Sequence, residues 1–143
     1  MDPERIRASY ERVRGEVGPD VTIVAATKYV SVEDMAALAE ARIDVVGENR
    51  LQDLQAKHEQ FSDAFRWHFI GHLQSRKAHD VSELCELVHS LDSDSAAQRL
   101  TVPALVQVNL AGETSKSGVP PQELEAFVAR APVEIRGLSA MPK

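Results

Sequence analysis

A lysine is a costly side chain to leave at the end of a buried strand, and Lys28 closes the apolar, β-branched run 21–27. Along a strand alternate residues share a face, so Val24, Ala26 and Lys28 are expected to point the same way. Ala25, Ala26 and Thr27 are small and leave room for a ligand beside the amine. If that face lines the interior of a closed sheet, partial burial disfavours the ammonium. The neutral amine is the form that attacks a carbonyl. The chemistry expected of Lys28 is reversible Schiff-base formation with an aldehyde. On pattern alone, a strand-end lysine extended into water is the commoner arrangement, so the assignment depends on the other strand ends.

Several of them carry functional groups. Gly47-Glu48-Asn49 combines a glycine, which permits close backbone approach, with an amide that both donates and accepts. A strand-to-helix turn with Asn49 as N-cap reads equally well. Trp67-His68-Phe69-Ile70-Gly71-His72 places two histidines in or beside a strand, with Gly71 expected to break it. Zinc needs at least three ligands, and Cys85 and His89 add no recognised spacing, so His68 reads first as a hydrogen-bonded histidine. Ser90 and Asp92, Gln107 and Asn109, and Ser139 to Met141 occupy three further strand ends. Leu73-Gln74-Ser75-Arg76-Lys77 is a local basic patch at a helix start, where an anion or a solvated face is expected. In the loop 110–120 the lysine, Lys116, precedes the second glycine, which argues against a P-loop.

The elements that must position these groups alternate. Ile6, Tyr10, Val13 and Val17 predict an opening helix, begun by Asp2-Pro3 and ended by Gly18-Pro19. Strands are predicted at 21–27, 43–46, 65–70, 87–90, 103–109 and 133–138. Helices are predicted between them at 51–58 and 74–84, with Ser31 capping the second helix and Asp92 or Asp94 the short one before Leu100. Leu124, Phe127 and Val128 are expected to face inward from the last helix. If the strand alternation continues past Lys28, Tyr29 points away from it. Strands alternating with helices mean a parallel sheet with helical cover. Two architectures compete, an open doubly wound sheet and a (β/α)8 TIM-type barrel, and both gather functional groups at the C-terminal strand ends. No Gly-x-Gly-x-x-Gly follows a strand, which weakens a dinucleotide-binding reading.

Composition sets the remaining limits. The chain has 143 residues, 43% of them apolar, and a formal charge of −6. One domain with a real core is expected, spanning 1–143. The acidic balance, with a pI near 5.3, argues against a bulk nucleic-acid binder. The single cysteine, Cys85, allows no intramolecular disulfide and accords with a reducing compartment. No apolar leader or run of about 18 apolar residues occurs, so a soluble cytoplasmic protein with no membrane partner is expected.

Taken together, the segments Val24-Ala25-Ala26-Thr27-Lys28, Gly47-Glu48-Asn49, 67–75, Val88-His89-Ser90, Gln107-Val108-Asn109, 115–118 and 136–142 resemble the pyridoxal-phosphate homeostasis protein family, in the family's order and over nearly the whole chain. The resemblance implies the alanine-racemase type of (β/α)8 barrel and the cofactor pyridoxal 5′-phosphate (PLP). Lys28 falls on the family's Schiff-base lysine and Asn49 on a cofactor-pocket residue. Ala26, His68, Ser90, Asn109 and Met141 complete the set expected around the cofactor. The implied role is a carrier or regulator of PLP without established amino-acid turnover, with PLP-dependent enzymes as recipients. A racemase-like enzyme and a non-binding fragment or scaffold are the rival readings. No tyrosine near a strand end offers the second acid/base that a racemase needs. Only six of the family's eight β-α units are read here, so the segments that hold the phosphate are expected to lie outside the chain, and Arg76 replaces a more usual Asn. An open arc of six strands would expose two edges and favour self-association.

Overall fold

The protein is described from a computed structural model, which covers residues 1–113 and 117–141. Helix α1 (Pro3–Val17) opens where Asp2 accepts the Glu4 N–H at 2.9 Å and closes at Gly18, whose φ of 84° suits a residue without Cβ. There follow β1 (Val24–Ala26), α2 (Met35–Glu40), β2 (Val45–Glu48), α3 (Leu51–Phe61) and β3 (Arg66–Phe69). A 3-10 turn at Ser75–Lys77 leads into α4 (Ala78–Leu84) and β4 (Leu87–Leu91). The chain continues through α5 (Asp94–Arg99), β5 (Ala104–Val108), a second 3-10 turn at Pro121–Glu123, α6 (Leu124–Arg130) and β6 (Ile135–Ala140).

The six strands form one sheet in the order β1-β2-β3-β4-β5-β6, and each neighbouring pair is parallel. A doubly wound sheet reverses its strand order at a switch point. This one does not, so the barrel-type alternative is the one the chain adopts, as an arc with β1 and β6 at its edges. One face packs on the helices. Val46, Trp67, Phe69, Val88, Ala104 and Val106 meet Met35, Leu38, Leu54, Val81, Ala96 and Phe127 there in a continuous core. On the opposite, concave face, a Cβ on Gly47 would lie 3.0 Å from both Val24 and Ile70.

Local differences from the sequence pattern have specific causes. The first strand does not begin at Val21: the Arg14 guanidinium takes the carbonyls of Gly18 and Val21, at 2.8 and 2.5 Å, and ties that segment to α1. Ser93, rather than Asp92 or Asp94, caps α5, accepting the Ala96 N–H at 3.2 Å. Asp92 instead accepts from the Gly118 N–H, and Asp94 pairs with Arg130. Phe127 of α6 is buried as expected, but Val128 is exposed.

Candidate functional site

The turns that follow the strands are bonded to one another in succession. A Cβ on Gly71 would sit only 2.0 Å from the Asn49 carbonyl oxygen, so the turn after β3 lies directly on the turn after β2 and only glycine fits there. The buried Ser90 hydroxyl donates to the Gly71 carbonyl and carries the contact on to β4. Further round, the Gly118 N–H donates to Asp92 Oδ2 at 2.9 Å, and Gly118 packs against the backbone of Asn109. Asn109 folds its own loop: its Nδ2 donates to the Glu113 carbonyl at 2.7 Å and its Oδ1 accepts from the Ala111 N–H at 3.1 Å. Asn49, Ser90 and Asn109 are thus parts of one rim at the C-terminal strand ends.

Lys28 lies at the start of that rim. It is exposed, as is Ala26, and Ala26 pairs in register with Gly47. Small residues therefore surround the base of the lysine. The expectation of a desolvated amine is corrected here: the residue is exposed, and no strand among the described residues flanks β1 on its outer side. The expected orientation of Tyr29 is also corrected. The strand ends at Ala26, and Lys28 and Tyr29 occupy the middle of a turn closed by the Val30 N–H on the Thr27 carbonyl at 3.0 Å. Strand alternation no longer applies in the turn, and the Lys28 ammonium lies 5.1 Å from the Tyr29 ring centroid.

Behind the rim is a cluster of which the sequence reading missed one member, Lys57. Glu48 and Lys57 are both buried and form an ion pair at 2.9 Å. Lys57 also donates to the Thr27 carbonyl at 2.8 Å, and the Thr27 hydroxyl contacts Glu48 Oε2. The signal for Lys57 was present: Leu51, Leu54 and Lys57 recur every three residues on the buried side of α3. Two buried side-chain atoms have no hydrogen-bond partner among the described residues, Glu48 Oε1 and Asn49 Oδ1.

His68 belongs to a different constellation. It pairs in register with Gly47 and with Leu87, the first residue of β4. Its Nε2 faces Glu86 at 3.1 Å and its Nδ1 faces His89 Nε2 at 2.9 Å. Glu86 also binds Arg66, which pairs with Asp44, all of them at the N-terminal strand ends. The Glu86 contact of His68 therefore runs away from the rim, whereas His89 lies within β4, next to Ser90. Burial is the main cause that lowers the pKa of His68, and it carries His89 to about 4. The Cys85 thiol is buried and pushed up to about 12, chiefly by burial, which leaves it inert as a nucleophile. Met141, after β6, is 74% exposed, and Lys116 lies outside the described residues.

No family model matches the chain. Individual relatives do. The pyridoxal phosphate homeostasis protein of Vibrio cholerae is 34% identical over 161 residues, covering 98% of this chain and 68% of the relative. That of Pseudomonas aeruginosa is 34% identical and covers 97% of this chain and 68% of the relative. Among solved structures, PipY of Synechococcus elongatus with PLP bound superposes with a TM-score of 0.85 at 28% identity, over 96% of this chain and 70% of PipY. Alanine racemase from Bartonella henselae, at 16% identity and a TM-score of 0.72 over 98% of this chain and 43% of the racemase, shares the fold. The chain therefore spans about two-thirds of the family's length, from the opening helix to β6, and at this identity and coverage it belongs to the pyridoxal phosphate homeostasis protein family.

Proposed function

We propose that the chain binds PLP reversibly and serves in cofactor homeostasis as a carrier or regulator, in the cytoplasm, with PLP-dependent enzymes as recipients. The observation that carries this reading is the setting of Lys28: an exposed amine at the end of β1, above Ala26 and Gly47, on a racemase-type arc. The residues present fit the aldehyde end of the cofactor. Asn49, adjacent to that strand end, has a buried Oδ1 without a partner among the described residues, and a buried carbonyl oxygen of this kind costs free energy until a donor meets it. The bound cofactor supplies an aldehyde that the neutral lysine amine captures reversibly.

The chain's own residues do the rest. Lys28 presents the amine from an exposed position. Asn49 would accept a hydrogen bond from a polar group of the ligand through Oδ1. Ala26 and Gly47 keep the floor clear. Ser90 and Asn109, engaged with Gly71, Ala111 and Glu113, hold the turns of the rim in shape. His68, level in register with Gly47, and Met141, just after β6, complete the proposed cofactor set. No described helix is long and apolar enough to cross a membrane. The open edges β1 and β6 favour self-association.

The test is to incubate the protein with PLP, reduce with borohydride, digest and weigh the peptides. One pyridoxyl group on the Lys28 peptide is expected, absent in Lys28→Ala. Label on Lys77 or Lys116 with none on Lys28 would overturn the assignment. Steady amino-acid turnover by the pure protein, lost in Lys28→Ala, would favour the enzyme reading.

A further inference from the structure

We propose that the buried Glu48–Lys57 pair is a positioning device that sets the turn bearing Lys28 and the adjacent residue Asn49. The inference rests on the PLP reading for its purpose, but its geometry stands without it. Thr27 and Glu48 are the residues immediately before Lys28 and Asn49. The carbonyl of Thr27 receives two donors, the Val30 N–H that closes the turn and the Lys57 ammonium at 2.8 Å. That ammonium also binds Glu48 Oε2 at 2.9 Å. The Thr27 hydroxyl has one proton and two acceptors nearby, the Gly47 carbonyl at 3.2 Å and the Glu48 carboxylate, the closer and charged of the two. Lys57, Thr27 and Glu48 thus close a ring that links α3 to the ends of β1 and β2.

Stability alone does not explain this ring. A buried ion pair is seldom better than an apolar pair of the same size. Glu48 is fully buried, yet its Oε1 has no partner among the described residues. The arrangement accepts a desolvation cost directly beneath two residues assigned to the ligand. What it fixes is the direction in which β1 and β2 deliver Lys28 and Asn49. An exposed lysine in the turn after β1 lacks packing to hold it, so the fixed point must come from that turn.

The variants are Glu48→Gln with Lys57→Met, which removes both charges and fills the space, and Thr27→Val, which removes only the hydroxyl. Three readouts are taken on each. Thermal melting reports stability. Amide exchange at Val30, whose N–H binds the Thr27 carbonyl, and at Ile70, whose N–H binds the Glu48 carbonyl, reports the turns without any cofactor. Borohydride fixation of PLP on the Lys28 peptide reports the site. The double variant is expected to melt close to wild type, to exchange Val30 and Ile70 about tenfold faster, and to bind PLP about tenfold more weakly, the loss of one hydrogen bond to a charged group. Exchange in β4 and β5 should not change. If the double variant does not fold, Thr27→Val is read in its place, with an expected change of about threefold in the same readouts. Wild-type exchange at Val30 and Ile70 in a folded variant overturns the inference, as does wild-type PLP fixation on Lys28. If the wild-type protein itself takes no PLP on Lys28, the functional reading fails, and the exchange rates still decide whether the pair sets the turns.

Discussion

Gly71 shows how closely the rim is built. Its own torsion is ordinary, so its requirement is space and not backbone freedom. A methyl group there would meet the Asn49 carbonyl oxygen at 2.0 Å, and the obstacle is backbone, which cannot swing aside as a side chain can. Gly71→Ala must therefore push apart the turns after β2 and β3. It should destabilise the protein by about 2–3 kcal/mol in urea titration, the cost of forcing extra volume into a packed site. PLP capture by Lys28 should weaken as well, because Asn49 moves. Gly15 provides the contrast. It lies on the exposed side of α1, with nothing within 4 Å of the added Cβ, and Gly15→Ala should stabilise by about 0.5–1 kcal/mol through helix propensity alone. Equal effects of the two substitutions would mean that the turns give way freely.

Among the elements, β3 and β4 carry the titrating groups. Glu86 accepts the His68 Nε2–H, which leaves His68 Nδ1 free to accept the Nε2–H of His89. This chain is complete with both rings neutral. Burial lowers both pKa values, with the Arg66 charge adding to the effect on His68 and Glu86 opposing it. Between the unfolded value near 6.5 and a folded value of about 4, the unfolded chain holds a proton at His89 that the folded chain does not. Stability contributed by His89 is therefore full above pH 6.5 and is lost as the pH falls towards 4. With partial solvent screening the loss is about 1–2 kcal/mol. The difference in unfolding free energy between wild type and His89→Gln should shrink by that amount from pH 7 to pH 4.5, and a pH-independent difference would overturn this account. The alternation of apolar runs with helical patterns was enough to set the order of the elements, because parallel strands must be crossed over by helices. Strand ends and caps were less legible. Arg14 ties back the segment before β1 from several residues away, and Ser93 caps α5 while Gly118 and Arg130 engage its acidic neighbours Asp92 and Asp94. Lys28 could be singled out by type and position, whereas Lys57 looked like any helical lysine until the face formed by Leu51 and Leu54 proved to be buried.

At the scale of the whole molecule the arc has a helix-covered face and a concave face, and its two edges differ. β1 is short, and Arg14 draws the segment before it towards α1. β6 is longer, pairs with β5 on one side only, and exposes Leu138 by 57% opposite the buried Val106. In a parallel sheet an apolar residue in that register is one that a further helix would cover. A long edge strand with an exposed leucine is a template for another chain. The 143-residue chain should accordingly associate, with sedimentation coefficients that rise between about 1 µM and 1 mM. Leu138→Lys places a charge on that patch and should shift the equilibrium towards monomer, whereas a lysine at exposed Glu83 on α4 should not. If β6 is the contact, its amides should exchange more slowly as concentration rises while those of β1 do not. A monomer across the whole range would mean that the six-stranded arc protects its own edge, and slower exchange at β1 alone would move the contact to the Lys28 side, where association would compete with cofactor binding.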